Sequence, residues 1–179
     1  MYISISLTEL DRTHHIINDF LSLSRPGNIH TEIFSVSTSL IEIADFMRPY
    51  SAYSNVEIIV HIDENLTMIG NQNEFKQLIL NFLKNGIESM DQKGGKLHLI
   101  SFLKDNMIII KIKDEGCGLT HEQLKQLGQP YYSTKTKGTG LGLMISFDII
   151  KRMHGKHEVS SKSDEGTCFI LQFPYVMKP

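Results

Sequence analysis

From residue 37 onward the apolar spacing alternates between the period of a helix and that of a strand, and the order of the changes excludes most folds. Leu40, Ile43, Ala44 and Met47 carry helical spacing over Ser37 to Tyr53, where Pro49 is expected to kink or end the helix. Val56 to Ile62 is rich in β-branched residues and reads as a strand, and Met68-Ile69-Gly70 as a short further one. Helical spacing returns between Asn71 and Met90, in Phe75, Leu78, Ile79, Phe82, Leu83 and Ile87. Asn71 with Glu74 gives that helix a capping-box-like start. Gly94-Gly95 then turns the chain into two strands, Lys96 to Leu103 and Met107 to Lys113, joined through Asp105-Asn106. Six of the thirteen glycines fall between Gly116 and Gly142, so a loop with close backbone approaches is expected there. A helix from Leu141 to Met153 follows, with Gly155 as its expected C-cap. Lys156 to Lys162 and Thr167 to Phe173 form a last hairpin around Asp164-Glu165-Gly166. Helices interleaved with hairpins predict an α/β (α+β) chain, a two-layer sandwich whose mixed sheet carries its helices on one face.

The first residues differ in kind. Ile3, Leu7, Leu10, His14, Ile17, Leu21 and Ser24 are spaced alternately by four and three, a heptad seam. Ile16, Phe20 and Leu23 widen the stripe beyond what one neighbour covers, so this long N-terminal helix reads as half of a hairpin or bundle. Arg25-Pro26-Gly27 stops it, and residues 25 to 32 read as a linker. The expected organisation is a helical unit over 1–26 and an α/β domain over 27–179. Eighteen basic against twenty acidic side chains give a net charge of −2, which argues against a protein that coats nucleic acid. The longest apolar runs, such as Met107 to Ile110, are too short to cross a bilayer, so no membrane contact by this chain is expected. Two cysteines, Cys117 and Cys168, make no disulfide framework, and a reducing, cytoplasmic setting is expected.

Several segments carry chemistry. Asn81 and Asn85 are four apart and project from one helix face, where two amides can cap, hydrogen-bond or offer oxygens to a hard cation such as Mg²⁺. Asp114-Glu115-Gly116-Cys117-Gly118 follows a strand; its carboxylate can accept from an exocyclic amine, and its glycines allow close backbone approach. Read alone, the first of these is a surface amide pair and the second a turn. Gly138-Thr139-Gly140-Leu141-Gly142-Leu143 opens a helix, whose N-terminal amides suit an anion. It is neither a Walker loop nor a dinucleotide fingerprint, since no Gly-Lys-Ser/Thr follows and no strand leads into it. Pro130-Tyr131-Tyr132-Ser133-Thr134-Lys135-Thr136-Lys137 has few apolar anchors and suits a lid over phosphates. Gly166-Thr167 starts the last strand.

Taken in order, these five boxes resemble the ATP-binding domain of sensor histidine kinases, whose nucleotide fold is shared with DNA gyrase, the Hsp90 chaperones and the MutL repair proteins. The resemblance covers about residues 30 to 175, and Asn81-Phe-Leu-Lys-Asn85-Gly-Ile-Glu-Ser-Met90 looks most like the sporulation kinases of the Bacillus group. It implies ATP and Mg²⁺ as cofactors. Asn85 would coordinate Mg²⁺ and Asn81 would act on the phosphate side. Asp114 would bind the adenine amine, with Gly116 and Gly118 by the base and Thr167 supporting it through water. Tyr132, Ser133, Thr134 and Lys135 would belong to the lid, Lys135 with a catalytic role alongside Asn81. Gly138, Thr139, Gly140, Leu141, Gly142 and Leu143 would wrap the phosphates. Gyrase-type ATPases carry a glutamate at the position of Asn81; an amide is a poor general base, which favours phosphoryl transfer over hydrolysis.

Ile16 to Pro26 is similar to the second helix of the dimerisation and phosphotransfer hairpin of such kinases, which implies a homodimer in the complete kinase and a response regulator as partner. The acceptor pattern, a histidine followed by Glu or Asp and then Arg-Asn-Pro, is not found: His14 and His15 are followed by Ile16-Ile17-Asn18. His154-Gly-Lys-His157 makes no strong metal site by spacing. The expected function is therefore the ATP-binding domain of a histidine kinase, the cytoplasmic part of a parent that can be membrane-anchored. A truncated, non-catalytic kinase remnant and an anti-sigma-factor serine kinase are the alternatives.

Overall fold

The computed structural model describes residues 30–90, 93–133 and 139–177. The N-terminal helix and the unit over 1–26 lie outside them. The described residues begin with β1 (Glu32–Ser35), followed by α1 (Val36–Tyr53), β2 (Val56–Ile62), β3 (Thr67–Gly70) and α2 (Gln72–Ser89). β4 (Gly95–Lys104), β5 (Met107–Lys113), α3 (His121–Gln126), α4 (Gly142–Arg152), β6 (Lys156–Lys162) and β7 (Gly166–Pro174) complete it. β2, β4, β5, β7 and β6 form one sheet in that order, and β1 pairs with β3 in a small antiparallel ribbon. Only β2 and β4 run parallel in the larger sheet, joined through α2; β4–β5, β5–β7 and β6–β7 are antiparallel. The expected mixed sheet with helices on one face is what forms.

Alternation decides which sheet face is covered. Leu97 and Leu99 of β4, Ile108, Ile110 and Ile112 of β5, and Leu171 and Phe173 of β7 are almost wholly buried and share one core with the apolar stripes of α1, α2 and α4. Phe75 of α2 is fully buried between Phe34 and Phe173, with ring centroids 5.3 and 6.0 Å away, in the tilted and edge-on arrangements aromatic pairs prefer. Ser37 ties α1 to the β2–β3 connection: its hydroxyl donates to the Asp63 carbonyl at 2.7 Å and accepts from the Leu66 amide at 3.0 Å.

Local chemistry explains the element ends. Asn71 Oδ1 accepts from the amides of Asn73 and Glu74, as the sequence predicts, while the Glu74 carboxylate pairs with Arg152 instead of turning back to the cap. Asp105 and Asn106 both have positive φ, the geometry that a two-residue hairpin between right-twisted strands requires. α1 reaches Tyr53, as its spacing predicts, and Pro49 lies inside it without ending it, because on this exposed stretch water can take the carbonyl that proline leaves unpaired. Two expectations are corrected. The linker ends earlier, since Glu32 already pairs with Gly70 in β1. At the end of α4 it is His154, not Gly155, that turns left-handed; Gly155 donates its amide to Ile150, and a Cβ there would press on the Phe173 ring at 2.7 Å.

Candidate functional site

Asp114 extends β5, the central strand of the larger sheet, and is 4% exposed. Its Oδ1 accepts from the Gly116 amide at 2.9 Å, the Thr167 amide at 3.1 Å and the Ser89 hydroxyl at 3.1 Å. Among the described residues no donor reaches Oδ2. Burial pushes the Asp114 carboxyl above the usual carboxylate range, against the pull of those hydrogen bonds. Its backbone amide donates to the Thr167 carbonyl at 2.9 Å, so Asp114 and Thr167 clasp each other through both main chain and side chain. Close backbone approach brings the donors in. A Cβ on Gly116 would collide with Ser89, and one on Gly118, at φ +63, with the Lys162 carbonyl of the β6–β7 hairpin.

Ser89 is the residue that sequence reasoning missed. It lies four residues beyond Asn85, itself four beyond Asn81, so the three form one polar stripe on α2. The stripe covers eight residues, or ~12 Å of helix. At its far end Asn81 Nδ2 donates to the Gly142 carbonyl at 3.4 Å and the Ser146 hydroxyl at 3.3 Å, which seats the first turn of α4 on α2. α4 starts without a side-chain cap, since Leu141 offers none, and its first turn holds no acidic residue. Gly142 has open space where a Cβ would be, its nearest neighbour being Asn81 Nδ2 at 4.0 Å. The Thr139 hydroxyl accepts from the Leu141 amide at 3.3 Å. Gly140, at φ +71, packs directly against the backbone of Tyr131, while Tyr132 and Ser133 are half-buried. Thr134, Lys135 and Gly138 lie outside the described residues.

The structure thus gathers Ser89, Asp114, Gly116 and Thr167 into one hydrogen-bonded cluster at one end of the α2 stripe and joins Asn81 to the start of α4 at the other, with Asn85 between them on the same helix. A separate shallow cavity of about 460 Å³, where His157 stacks on Phe147, contains none of them. Among the described residues no cluster of three His, Cys, Asp or Glu side chains could hold a metal, and no helix is long and apolar enough to cross a membrane.

If Asp114 accepts from a ligand in its ionised form, binding has a pH signature. The raised carboxyl predicts that affinity for such a ligand falls as pH drops through a midpoint above the usual carboxylate range. Ser89→Ala removes one of the hydrogen bonds that favour the carboxylate, so its midpoint should lie higher still. A merely structural role for Ser89 would lower affinity equally at all pH values, and a binding titration across pH separates the two.

A helix-backed mixed sheet with a buried carboxylate at its central strand, beside a polar helix stripe, makes a two-layer α/β sandwich. The chain belongs to the histidine kinase-, DNA gyrase B- and HSP90-like ATPase family, whose model matches residues 70–177. It is 34% identical over 173 residues to sporulation kinase B of Bacillus subtilis (strain 168), covering 97% of this chain and 40% of that protein. Sporulation kinase E of the same organism is 36% identical over 175 residues, covering 97% of this chain and 24% of the relative. The chain therefore spans less than half the length of these relatives. The structure of full-length ShkA in complex with AMPPNP shares the fold, with a TM-score of 0.84 at 20% identity, covering 99% of this chain and 39% of that one.

Proposed function

We propose that this chain is the ATP-binding catalytic domain of a two-component sensor histidine kinase. It would present the γ-phosphate of ATP to a histidine, for relay to an aspartate of a response regulator. The observation that carries the reading is the α2 stripe, which links a carboxylate with one open oxygen to an uncapped helix start. The likeness to sporulation kinases and the AMPPNP complex of a fold relative support it.

The residues fit the nucleotide. Asp114 Oδ2 would accept from the adenine amine while Ser89, Gly116 and Thr167 hold Oδ1 in place. The first-turn amides of α4 would face the phosphates, and Asn81 keeps that turn seated on α2. Asn85 would offer its amide oxygen to Mg²⁺; a single protein oxygen suits an ion that usually keeps its waters and is completed by phosphates. When bound, Mg²⁺ supplies neutralisation of phosphate charge. Asn81 cannot take a proton from water, so the site suits positioning for transfer more than hydrolysis. Thr134, Lys135 and Gly138 are assigned to the lid and phosphate loop. In the complete kinase the N-terminal helix would dimerise, and this domain would stand in the cytoplasm.

Calorimetry with AMPPNP and Mg²⁺ should show one nucleotide per chain, and no uptake would overturn the reading. With γ-labelled ATP, a histidine-bearing hairpin from a relative, added in trans, should gain acid-labile phosphate. Rapid hydrolysis without any histidine, lost in Asn81→Ala, would make the chain an ATPase instead.

A further inference from the structure

The sheet has a second face, and its chemistry differs from that of the first. Side chains alternating with the core residues point away from the helices: Ile59 of β2, Ile100 and Phe102 of β4, Ile109 of β5 and Ile170 of β7. None of these five belongs to the hydrophobic core or to the residues packed against it. They form a recessed apolar strip; Ile109 is only 8% exposed, and none of them counts among the strongly exposed large apolar side chains.

Lysines stand among these side chains as well as beside them: by register Lys111 lies directly between Ile100 and Ile170 on the middle strand. Lys96 and Lys104 of β4, Lys111 and Lys113 of β5, and Lys156 of β6 share this face by the same alternation. None of the five makes an ion pair among the described residues, whereas four of the five cations on α1, α2 and α4 do: Arg48, Lys76, Lys84 and Arg152. Two glutamates, Glu57 and Glu158, stand on the same face, the second accepting from Gln172 at 3.4 Å. Lys162, at the far end of β6, is paired with Glu165. A chain with a net charge of −2 thus concentrates unpaired positive charge on one partly apolar face.

We propose that this open sheet face docks an acidic polypeptide surface of a partner protein. Apolar side chains interleaved with unpaired lysines suit a protein surface that offers both kinds of partner, and the lysines select carboxylates and raise the encounter rate. A bilayer fits less well, because no apolar side chain projects beyond the lysines to enter it. A nucleic acid also fits less well. The strip's aromatic ring, Phe102, is covered by the Lys111 ammonium 5.4 Å from its centroid, and so offers no stacking platform. The inference does not depend on nucleotide binding.

The test uses a random copolymer of glutamate and tyrosine, which supplies carboxylates and apolar rings together. Titration into the isotope-labelled chain should shift amide resonances of β4, β5 and β7, with affinity falling as salt rises. Lys111→Glu combined with Lys156→Glu should weaken binding by about tenfold or more, while arginine at both positions keeps it. AMPPNP binding by both variants, equal to that of the parent chain, shows that they fold. The proposal is overturned if the glutamate variant binds the copolymer as well as the parent does. It is also overturned if phosphatidylserine vesicles or duplex DNA bind more tightly than the copolymer at the same salt.

Discussion

Asp114→Asn is expected to weaken adenine-nucleotide binding by about a hundredfold, with thermal unfolding little changed. The amide oxygen of asparagine can keep the three donors now on Oδ1, so the loop stays anchored. The NH₂ then replaces Oδ2 and points a donor at the adenine amine. A charge-assisted hydrogen bond worth ~1.5–3 kcal/mol is lost, and two donors are set against each other. Stability is spared for a separate reason. Burial raises the carboxyl of Asp114, so its ionised form is the disfavoured one in the folded chain. A raised folded-state value means that the carboxyl contributes stability below its unfolded range and loses it as pH rises through the folded value. Near neutral pH the neutral amide therefore removes a cost, and the melting temperature should hold or rise. Calorimetry and a melting curve on one preparation check both halves. An asparagine variant that binds as tightly as the parent would remove Asp114 from the base pocket.

The second large effect contrasts two glycines. Gly166 sits at φ +92, and a Cβ there would overlap the Asp114 carbonyl and lie 2.9 Å from its carbon. Neither neighbour can yield, because both are backbone in the β5–β7 clasp. Strain of ~1–3 kcal/mol adds to the overlap, so Gly166→Ala should lower the melting temperature by roughly 6–12 °C and weaken nucleotide binding with it. Gly142 has ordinary backbone geometry at the first position of α4, and among the described residues a Cβ there would meet nothing nearer than Asn81 Nδ2 at 4.0 Å. Gly142→Ala should leave stability unchanged or improve it by up to ~1 kcal/mol. Its methyl would occupy the space assigned to phosphate, so affinity should fall while the melting point does not. If Gly142→Ala binds normally, the phosphates do not lie against the start of α4.

How much of this was legible in the sequence follows from what each signal depends on. Helices α1, α2 and α4 and strands β2 to β7 carry their own periodicity, because each buries one face against a single shared core. Of β1 the linker reading takes in Glu32 alone, and residues 33–35 carry no reading, because four residues show no period; only pairing with β3 makes them a strand. The short α3 also escaped notice, although Thr120 and Gln123 form a reciprocal capping box that the sequence displays. In the site, Asp114 and the glycines stood out because backbone must approach closely there. Ser89 did not: a serine at a helix end is ordinary, and its role appears only when the turn after β5 folds back on it. Asn81 was assigned to the phosphate side, and the structure adds that its amide nitrogen is engaged with α4, a contact between residues 61 and 65 positions apart that no local pattern encodes.

The location of Asp114 on the middle strand has a last consequence. Its carboxylate is anchored by the backbone of β7, so releasing it means separating β5 from β7 inside the sheet. That opening is close in cost to unfolding the whole molecule, and it is too rare to admit or discharge a ligand at useful rates. If Asp114 holds the base, that wall is stationary, and ligand exchange is expected at the other end of the α2 stripe, where the Asn81 side chain seats the start of α4.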